Sequence, residues 1–218
     1  REEMDRFAQR SQELAVASQE SGFFDREIVP IPDHEGNPVS KDDGPRPNST
    51  LEKLAELPEA FGGGGVTAGN SCPLNDGAAA VLIMSDAKAK ELGVAPKARI
   101  LATATWGNEP EYMGVAPIGA IRKVLQRTGM TIDDVDVVEL NEAFAAQVIP
   151  IMNECGIPLE KLNTHGGAIA LGHPFGMTGA RIMATLLNAM ETDDHQIGLE
   201  TMCVAGGQGE AMLVERLN

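Results

Sequence analysis

The chain of 218 residues contains few cysteines and no long apolar run. Its three cysteines, Cys72, Cys155 and Cys203, have neither the even count nor the close spacing of a disulfide framework or a zinc site. No metal site is predicted, and a reducing compartment suits this cysteine usage. No stretch approaches the roughly 20 apolar residues of a membrane-spanning helix. Residues 1–5 are charged and unlike a secretory signal, so we expect a soluble, cytoplasmic protein.

Positive charge is also scarce. The chain has 17 Lys and Arg residues against 32 Asp and Glu residues, which gives a formal net charge of −15. Such a surface repels nucleic-acid phosphates and anionic membranes, so neither partner is expected. The hydrophobic content of 43% is ample for the packed core of one large domain or two small ones.

After residue 70 the chain alternates apolar runs with amphipathic segments, which predicts an α/β fold. Strands are predicted at residues 78–84, 99–105, 135–140, 197–204 and 210–216. Helices are predicted at residues 87–92, 118–127, 143–154 and 178–190. Before residue 70 we expect an opening helix at 2–21, an irregular stretch rich in proline and glycine, and a short helix at 51–57.

Asn141 directly follows the predicted strand 135–140, in the sequence Asn-Glu-Ala-Phe-Ala. Ligands in α/β folds bind at the carboxyl ends of strands, so this is a site position. An amide at this point can cap the next helix or hold a water molecule. Both interpretations stay open from the residues alone.

Residues 163–179 form a glycine-rich segment that contains His173 in the sequence Gly-His-Pro. The glycines allow the backbone to approach a ligand closely, and the helix that follows points N–H groups toward the loop. The imidazole of His173 can donate a hydrogen bond to an oxygen that gains negative charge. A purely structural histidine is the alternative.

Cys203 ends a predicted strand and enters a turn with the sequence Ala-Gly-Gly-Gln-Gly. Exposed N–H groups of such a turn can stabilise a thiolate or an oxyanion, and we expect them to help this thiol act as a base. The alternative is a buried cysteine that serves as a small hydrophobic residue. That interpretation is preferred for Cys72 and Cys155.

These three segments resemble the C-terminal catalytic half of the thiolases, enzymes that make or break carbon–carbon bonds between coenzyme A thioesters. The resemblance extends along essentially the whole chain. It implies two similar α/β halves, each with a five-stranded sheet flanked by helices, and a loop domain inserted in the first half. Residues 1–69 then look like the later part of the loop domain, 70–97 like the last strand and helix of the first half, and 98–218 like the second half.

The resemblance also implies a division of catalytic work. Asn141 would position a water molecule, His173 and that water would stabilise an enolate oxygen, and Cys203 would move a proton to and from the enolate carbon. Ala205 stands where glycine is common in the family, and its backbone N–H would still serve an oxyanion. Thiolases carry their nucleophilic cysteine in a Cys-x-Ser-Gly segment before the matched region, and this sequence contains no such segment.

Coenzyme A and acyl-CoA enter as substrates in this scheme, and no permanently bound cofactor is implied. Arg46, Ala68 and Cys72 resemble positions that contact coenzyme A, although Cys72 replaces a serine found in some relatives. Arg46 can equally be a solvated charge in a proline-rich turn. Met113 and Phe144 resemble members of an apolar wall around the acyl group, with ordinary core packing as the alternative.

The expected function is thiolytic cleavage of 3-ketoacyl-CoA or the reverse condensation of acetyl-CoA. The sequence around His173 resembles that of the degradative enzymes of fatty acid β-oxidation more closely. The expected partners are the nucleophile-bearing half and further copies in a homodimer or homotetramer. One alternative is an inactive acyl-CoA-binding or assembly module. A ketoacyl synthase is disfavoured, because it would carry a histidine in the role of Asn141 and would not need Cys203.

Overall fold

A computed structural model describes residues 1–217 and has an α/β architecture, as predicted. The α-helices are α1 (Glu2–Glu20), α2 (Leu51–Ala55), α3 (Asp86–Leu92), α4 (Pro117–Thr128), α5 (Ala145–Cys155), α6 (Ala168–Leu171) and α7 (Thr178–Thr192). The strands are β1 (Ile31–Pro32), β2 (Pro38–Val39), β3 (Ala98–Gly107), β4 (Val137–Leu140), β5 (Ile197–Val204) and β6 (Gln208–Arg216). Short 3₁₀ helices lie at Phe23–Arg26, Pro110–Val115, Ile132–Asp134 and Leu159–Lys161.

The main sheet has the strand order β3-β6-β5-β4. β5 and β6 form an antiparallel hairpin, β3 pairs antiparallel with β6, and β4 runs parallel to β5. Within residues 1–217 this sheet therefore has four strands, one fewer than the family resemblance implies. At the position beyond β4, pairing is reduced to one parallel bridge between Leu162 and Val138.

At β4 the sheet is buried on both faces, because adjacent residues of this strand belong to different cores. Val138 packs in a core with α4, α5 and part of α1, whereas Val137 packs in a core dominated by α7. Alternation of side chains along a strand produces this division. The site edge of the sheet is thus clamped between helices on both sides.

Most predicted elements of the second half are present with small shifts at their ends. The helix predicted at 143–154 begins two residues later, because the chain bends at residue 143 and Phe144 remains extended. The helix predicted at 87–92 forms between the expected signals: the hydroxyl of Ser85 accepts from the N–H of Lys88, and Gly93 ends the helix at φ +68°.

The strand predicted at residues 78–84 is wrong for the described structure. This segment has no helix or strand, and Leu82 and Ile83 are 79% and 66% exposed. An apolar run becomes a strand only when a neighbouring strand pairs with its backbone, and no strand within residues 1–217 borders this one. Composition alone could not reveal the missing partner.

The opening region matches the predicted helix followed by irregular chain. α1 packs through Phe7 and Ala8 against the core that contains α4 and α5, and a two-stranded ribbon of β1 and β2 interrupts the loop that follows. The four glycines at 62–65 all have positive φ, as expected of a loop. In the part of the chain that the structure describes, no helix is long and apolar enough to cross a membrane.

Candidate functional site

Asn141 and Cys203 are brought to one edge of the sheet by the parallel pairing of β4 and β5. Leu140 pairs with Thr201, and the N–H of Asn141 donates to the carbonyl of Thr201 at 3.1 Å. Cys203 lies two residues further along β5. Since parallel strands end at the same edge, both residues lie at the carboxyl end of the sheet, as predicted for a site.

The side chain of Asn141 does not cap the helix that follows. The N-cap position of α5 is Phe144, and no side-chain hydrogen bond caps it. Asn141 is fully buried, and neither its Oδ1 nor its Nδ2 has a hydrogen-bond partner among residues 1–217. A buried amide with both functions unpaired is costly unless a water or ligand satisfies it, so the capping alternative is excluded and the water-holding one is favoured.

His173 is fixed at both its backbone and its ring. Its N–H donates to Oδ1 of Asn75 at 3.2 Å, and its Nδ1 lies 2.6 Å from Oγ1 of Thr178 at the start of α7. Burial, and then the positive charge of Arg181, lower the pKa of the imidazole. The ring is therefore held neutral near pH 7, which suits a hydrogen-bond donor more than a permanent charge.

The expectation that the glycine-rich turn activates the Cys203 thiol is wrong in its direction. Cys203 is only 5% exposed, and burial raises the pKa of its thiol above the usual value. A backbone hydrogen bond acts in the opposite sense but is the smaller effect. The thiol is therefore protonated in the resting state, so it can act as a proton donor first and as a proton acceptor only afterwards.

The turn after Cys203 accommodates Ala205 without strain. The positive φ angles fall on Gly206 (+84°) and Gly207 (+85°), not on Ala205. Gly209, the partner of Cys203 across the hairpin, lies so close to the chain at residues 116 and 117 that a Cβ there would be 2.4 Å from the carbonyl carbon of Ala116. The turn is thereby pressed against the segment that contains Met113.

Residues 70–77 connect the Asn141 segment with the His173 loop. The N–H of Cys72 donates to the carbonyl of Ala143 at 3.0 Å. Asn75 then bonds the backbone of His173, and the position of a Cβ on Gly77 would be 2.9 Å from Pro174. The charge of Cys72 also acts to raise the pKa of the Cys203 thiol. One extended segment thus ties the Asn141 segment to the His173 loop, which are far apart in sequence.

A group of buried charges lies beneath this edge, around Arg181 of α7. Its guanidinium is 3.9 Å from the carboxylate of Glu139, yet none of its three nitrogens has a hydrogen-bond partner in the described part of the chain. Burial raises the pKa of Glu139 to about 8 and that of Glu200 to about 7. Burial likewise raises the pKa of Glu142, although Ser11, Asn163 and the N–H of Ile169 all donate to its carboxylate.

The residues assigned to coenzyme A contact lie at the surface of the loop region. Arg46 and Ala68 are exposed, and Cys72 is half-buried. A groove of about 290 Å³ borders Arg46 and the turn after it, and α1 forms its other side. A second recess of about 460 Å³ surrounds Trp106 and α4. Neither recess is lined by Asn141, His173 or Cys203, so these two do not form the reaction pocket.

Of the two residues assigned to the acyl wall, Phe144 is not a core residue. It is 38% exposed and makes an edge contact with Phe61 at 6.4 Å between ring centroids. Met113 is half-buried in the 3₁₀ helix 110–115. Ordinary core packing therefore does not account for Phe144.

Three polar residues near the motifs were not singled out from the sequence. Asn75 and Thr178 form hydrogen bonds with His173. Gln147 has a buried amide without a hydrogen-bond partner among residues 1–217. The Cγ of Gln147 lies 3.2 Å from the position that a Cβ on Gly114 would take. Thr178 lies within the signature segment, and its spacing of five residues from His173 across a helix start was the available signal. Nothing in the sequence marked Asn75, because the contact joins residues 98 positions apart.

The α/β sheet, with the amide of Asn141 and the thiol of Cys203 at one edge, fits the family that the motifs resemble. Residues 94–216 match the family model "Thiolase, C-terminal domain", and residues 1–87 match "Thiolase, N-terminal domain". The chain belongs to the thiolase family.

Individual relatives agree with this assignment. A probable acetyl-CoA acyltransferase of Staphylococcus aureus (strain N315) is 49% identical over 221 residues, which are 99% of this chain and 56% of the relative. An acetyl-CoA acetyltransferase of Allochromatium vinosum is 47% identical over 222 residues, with 100% and 56% covered. The crystal structure of the Bacillus anthracis acetyl-CoA acetyltransferase matches with a TM-score of 0.95 and 44% identity, over 99% of this chain and 56% of that chain. The fold is thiolase-like, and the chain spans just over half the length of these proteins.

Proposed function

We propose that this chain supplies the enolate-stabilising and acid/base residues of a thiolase that cleaves 3-ketoacyl-CoA with coenzyme A, or condenses acetyl-CoA in reverse. One observation carries the proposal: Asn141 and Cys203 lie at the ends of neighbouring parallel strands, and residues 70–77 join the Asn141 segment to the loop of His173. The other wall of the pocket, with the nucleophilic cysteine, is assigned to the complementary half of the fold. We propose the same domain roles as the resemblance implies: the later part of the loop domain for residues 1–69, the last strand and helix of the first half for 70–97, and the second half for 98–218.

In the cleavage direction, the nucleophilic thiolate of the other half attacks the 3-keto carbon. The bond between C2 and C3 then breaks, which leaves an acyl thioester on the enzyme and the enolate of acetyl-CoA. His173 and a water held by Asn141 stabilise the enolate oxygen through hydrogen bonds. The protonated thiol of Cys203 gives its proton to the enolate carbon and becomes a thiolate.

The second half of the reaction returns that proton. The Cys203 thiolate takes the proton of the coenzyme A thiol, and the resulting thiolate attacks the acyl-enzyme to release acyl-CoA. The raised pKa of Cys203 supports this order, because a buried thiol is a proton donor in the resting state. Arg46 and Ala68 are proposed to contact coenzyme A, with Cys72 nearer the reacting end, and Met113 and Phe144 to border the acyl group.

The proposed test separates catalysis from binding. The complete enzyme should form an acyl-enzyme with acetyl-CoA, detected by intact mass, and the Cys203→Ala variant should retain acylation while losing carbon–carbon bond formation and cleavage. Unchanged turnover in Cys203→Ala would refute the role of Cys203. The 218-residue chain by itself should show neither acylation nor turnover, and an acyl group found on one of its own residues would contradict the division of work.

A catalytically inactive acyl-CoA-binding or assembly module is the second candidate. Binding of coenzyme A by the complete protein without any acyl-enzyme would support it. A cytoplasmic location and a homodimer or homotetramer belong to the main proposal. The degradative direction is part of it too, and the ratio of cleavage to condensation rates would test that direction.

A further inference from the structure

The carboxylate of Glu142 directly follows Asn141 in the chain and bonds three separate segments. Glu142 is fully buried, and its Oε2 accepts the hydroxyl of Ser11 at 2.5 Å and the N–H of Ile169 at 3.2 Å. Its Oε1 accepts the side-chain amide of Asn163 at 2.8 Å. These donors lie in α1, in α6 and in the segment that precedes α6. One side chain of the Asn141 motif therefore contacts the opening helix and the glycine-rich segment at once.

The bond from Asn163 requires a side chain at position 142 that only accepts hydrogen bonds. Asn163 accepts the N–H of Leu140 with its Oδ1 and donates to the carbonyl of Leu140 with its Nδ2, so its amide cannot turn over without breaking both bonds. The Nδ2 donor must then meet an acceptor, which the carboxylate of Glu142 provides. Since Leu140 is the residue before Asn141, the carboxylate fixes the strand end that carries Asn141.

The same carboxylate caps helix α6, which leads to His173. The N-cap residue of α6 is Gly167, which has no side chain to accept the first N–H groups, and the bond from Ile169 to Glu142 replaces that cap. A Cβ on Gly167 would lie 2.2 Å from Cδ of Glu142, so the carboxylate packs directly against the start of the helix. α6 ends at Leu171, two residues before His173. A shift of the carboxylate would therefore move the helix that carries the His173 loop.

The contact with Ser11 ties both motifs to α1 and selects the ionised carboxylate. Ser11 is fully buried, and its hydroxyl accepts the N–H of Gly167 at 3.1 Å while it donates to Glu142. A protonated carboxyl would set its proton against one of the donors or leave the Ser11 proton without an acceptor. Burial raises the pKa of Glu142, and its three donors and the charge of Arg181 act in the opposite sense. The donor set thus suits an ion.

We propose that Glu142 is a positioning residue of the thiolase reaction: its ionised carboxylate holds Asn141 through Asn163 and the loop of His173 through α6, and it links both to α1. This inference rests on the proposed function and deepens it, because α1 belongs to the region assigned to the coenzyme A-binding loop domain. Docking of that region is thereby coupled to the geometry of the two enolate-stabilising groups. Glu142 acts through these neighbours and not on the reacting atoms.

The first test needs no turnover. In the complete enzyme, Glu142→Gln places an NH₂ donor among donors, so hydrogen exchange read by mass spectrometry should be about 10-fold faster in residues 138–142 and 167–173. Glu27→Gln is the matched control, because Glu27 also accepts a hydroxyl, from Thr185 at 2.9 Å, and an asparagine amide, from Asn188 at 3.0 Å. It should leave both segments unchanged. Unchanged exchange in Glu142→Gln would overturn the inference. Faster exchange in an enzyme without thiolase activity would refute the proposed function and leave the structural link standing.

The second test separates positioning from stability. Glu142→Gln should lower kcat about 10- to 100-fold with KM within about 3-fold, since displaced reacting groups cost about that much. Ser11→Ala removes one of the three donors and should lower kcat about 3- to 10-fold. The double variant should stay within about 3-fold of Glu142→Gln, because both changes act through one carboxylate.

Glu27→Gln should lower the thermal midpoint and keep the kcat of the folded fraction. The same result in Glu142→Gln, a lower midpoint with full kcat per folded molecule, would refute the positioning role. If Glu142→Gln does not fold, Ser11→Ala decides by the same criterion, and an unchanged kcat there would count against the proposal.

Discussion

The amide of Asn163 takes the place of a neighbouring strand beside Leu140. Its Oδ1 accepts the N–H of Leu140 and its Nδ2 donates to the carbonyl of Leu140, both at 2.9 Å. The same Nδ2 donates to the buried carboxylate of Glu142 at 2.8 Å. One side chain thus satisfies the free edge of β4 immediately before Asn141, and it does so from a left-handed backbone position, φ +44°, that asparagine tolerates well.

Asn163→Ala should therefore destabilise the protein and disturb the site edge. The change leaves two backbone groups and one carboxylate oxygen short of a partner, which predicts a loss of about 2–4 kcal/mol in the free energy of unfolding. The thermal midpoint of the complete enzyme measures it. Asn37→Ala, in an exposed turn, is the control and should change stability by less than about 0.5 kcal/mol. Equal midpoints for both variants would contradict the strand-replacing role.

The two histidines of the glycine-rich segment should differ in role: we expect His165 to stabilise the fold and His173 to act in catalysis. His165 stacks on Phe23 at 3.5 Å between centroids and bonds Ser18 at 3.0 Å and Asp193 at 2.9 Å. His165→Ala should lower the free energy of unfolding by about 2–3 kcal/mol while the folded fraction keeps its kcat.

His173→Ala should do the reverse, with a near-normal thermal midpoint and a kcat reduced about 100-fold or more through the lost oxyanion donor. His34→Ala is the control for both, because the His34 side chain is 90% exposed. A large loss of kcat per folded molecule in His165→Ala would show that the division is incorrect.

Stability should fall as the pH rises from about 5 to 8. Glu139 has a usual carboxyl pKa of 4.5 when unfolded and about 8 when folded, because burial favours its neutral form. The folded state then holds the proton more tightly, so this contribution is complete below pH 4.5 and is lost as the pH approaches 8. Glu200, with its pKa raised to about 7, acts in the same sense.

Glu139→Gln should flatten this pH profile, as measured by denaturant midpoints at several pH values between 5 and 8. Glu154→Gln is the matched control, since Glu154 forms a solvent-exposed pair with Arg122 at 3.1 Å, and it should leave the slope unchanged. A slope identical in the original and the Glu139→Gln protein would mean that Glu139 is ionised throughout this range.

Gly209→Ala should displace the turn that follows Cys203. The new Cβ would lie 2.4–2.5 Å from backbone atoms of Ala116 and Pro117, which cannot move aside as a side chain can. Overpacking of this kind costs about 1–3 kcal/mol, and we expect a lower thermal midpoint together with a reduced kcat. Gly176→Ala, where a Cβ meets nothing within 4 Å, should be tolerated. Comparable losses in both variants would argue against a specific packing role for Gly209.

The sequence by itself determined the regular elements and the identity of the motif residues. Periodic apolar positions and local caps are short-range signals, so helices such as α3 and α7 and the strand β5 were predicted almost to the residue. The positions of Asn141 and Cys203 at strand ends followed from the same signals. Their shared edge followed as well, because α/β folds collect strand ends on one side.

Only the tertiary structure decided what those residues can do. Burial reversed the expected pKa of Cys203, left the amide of Asn141 without a partner, and made residues 78–84 irregular where no strand runs beside them. The link through residues 70–77 joins positions up to 98 apart. Desolvation and pairing depend on neighbours brought close by folding, and neither property is present in the local order of residues.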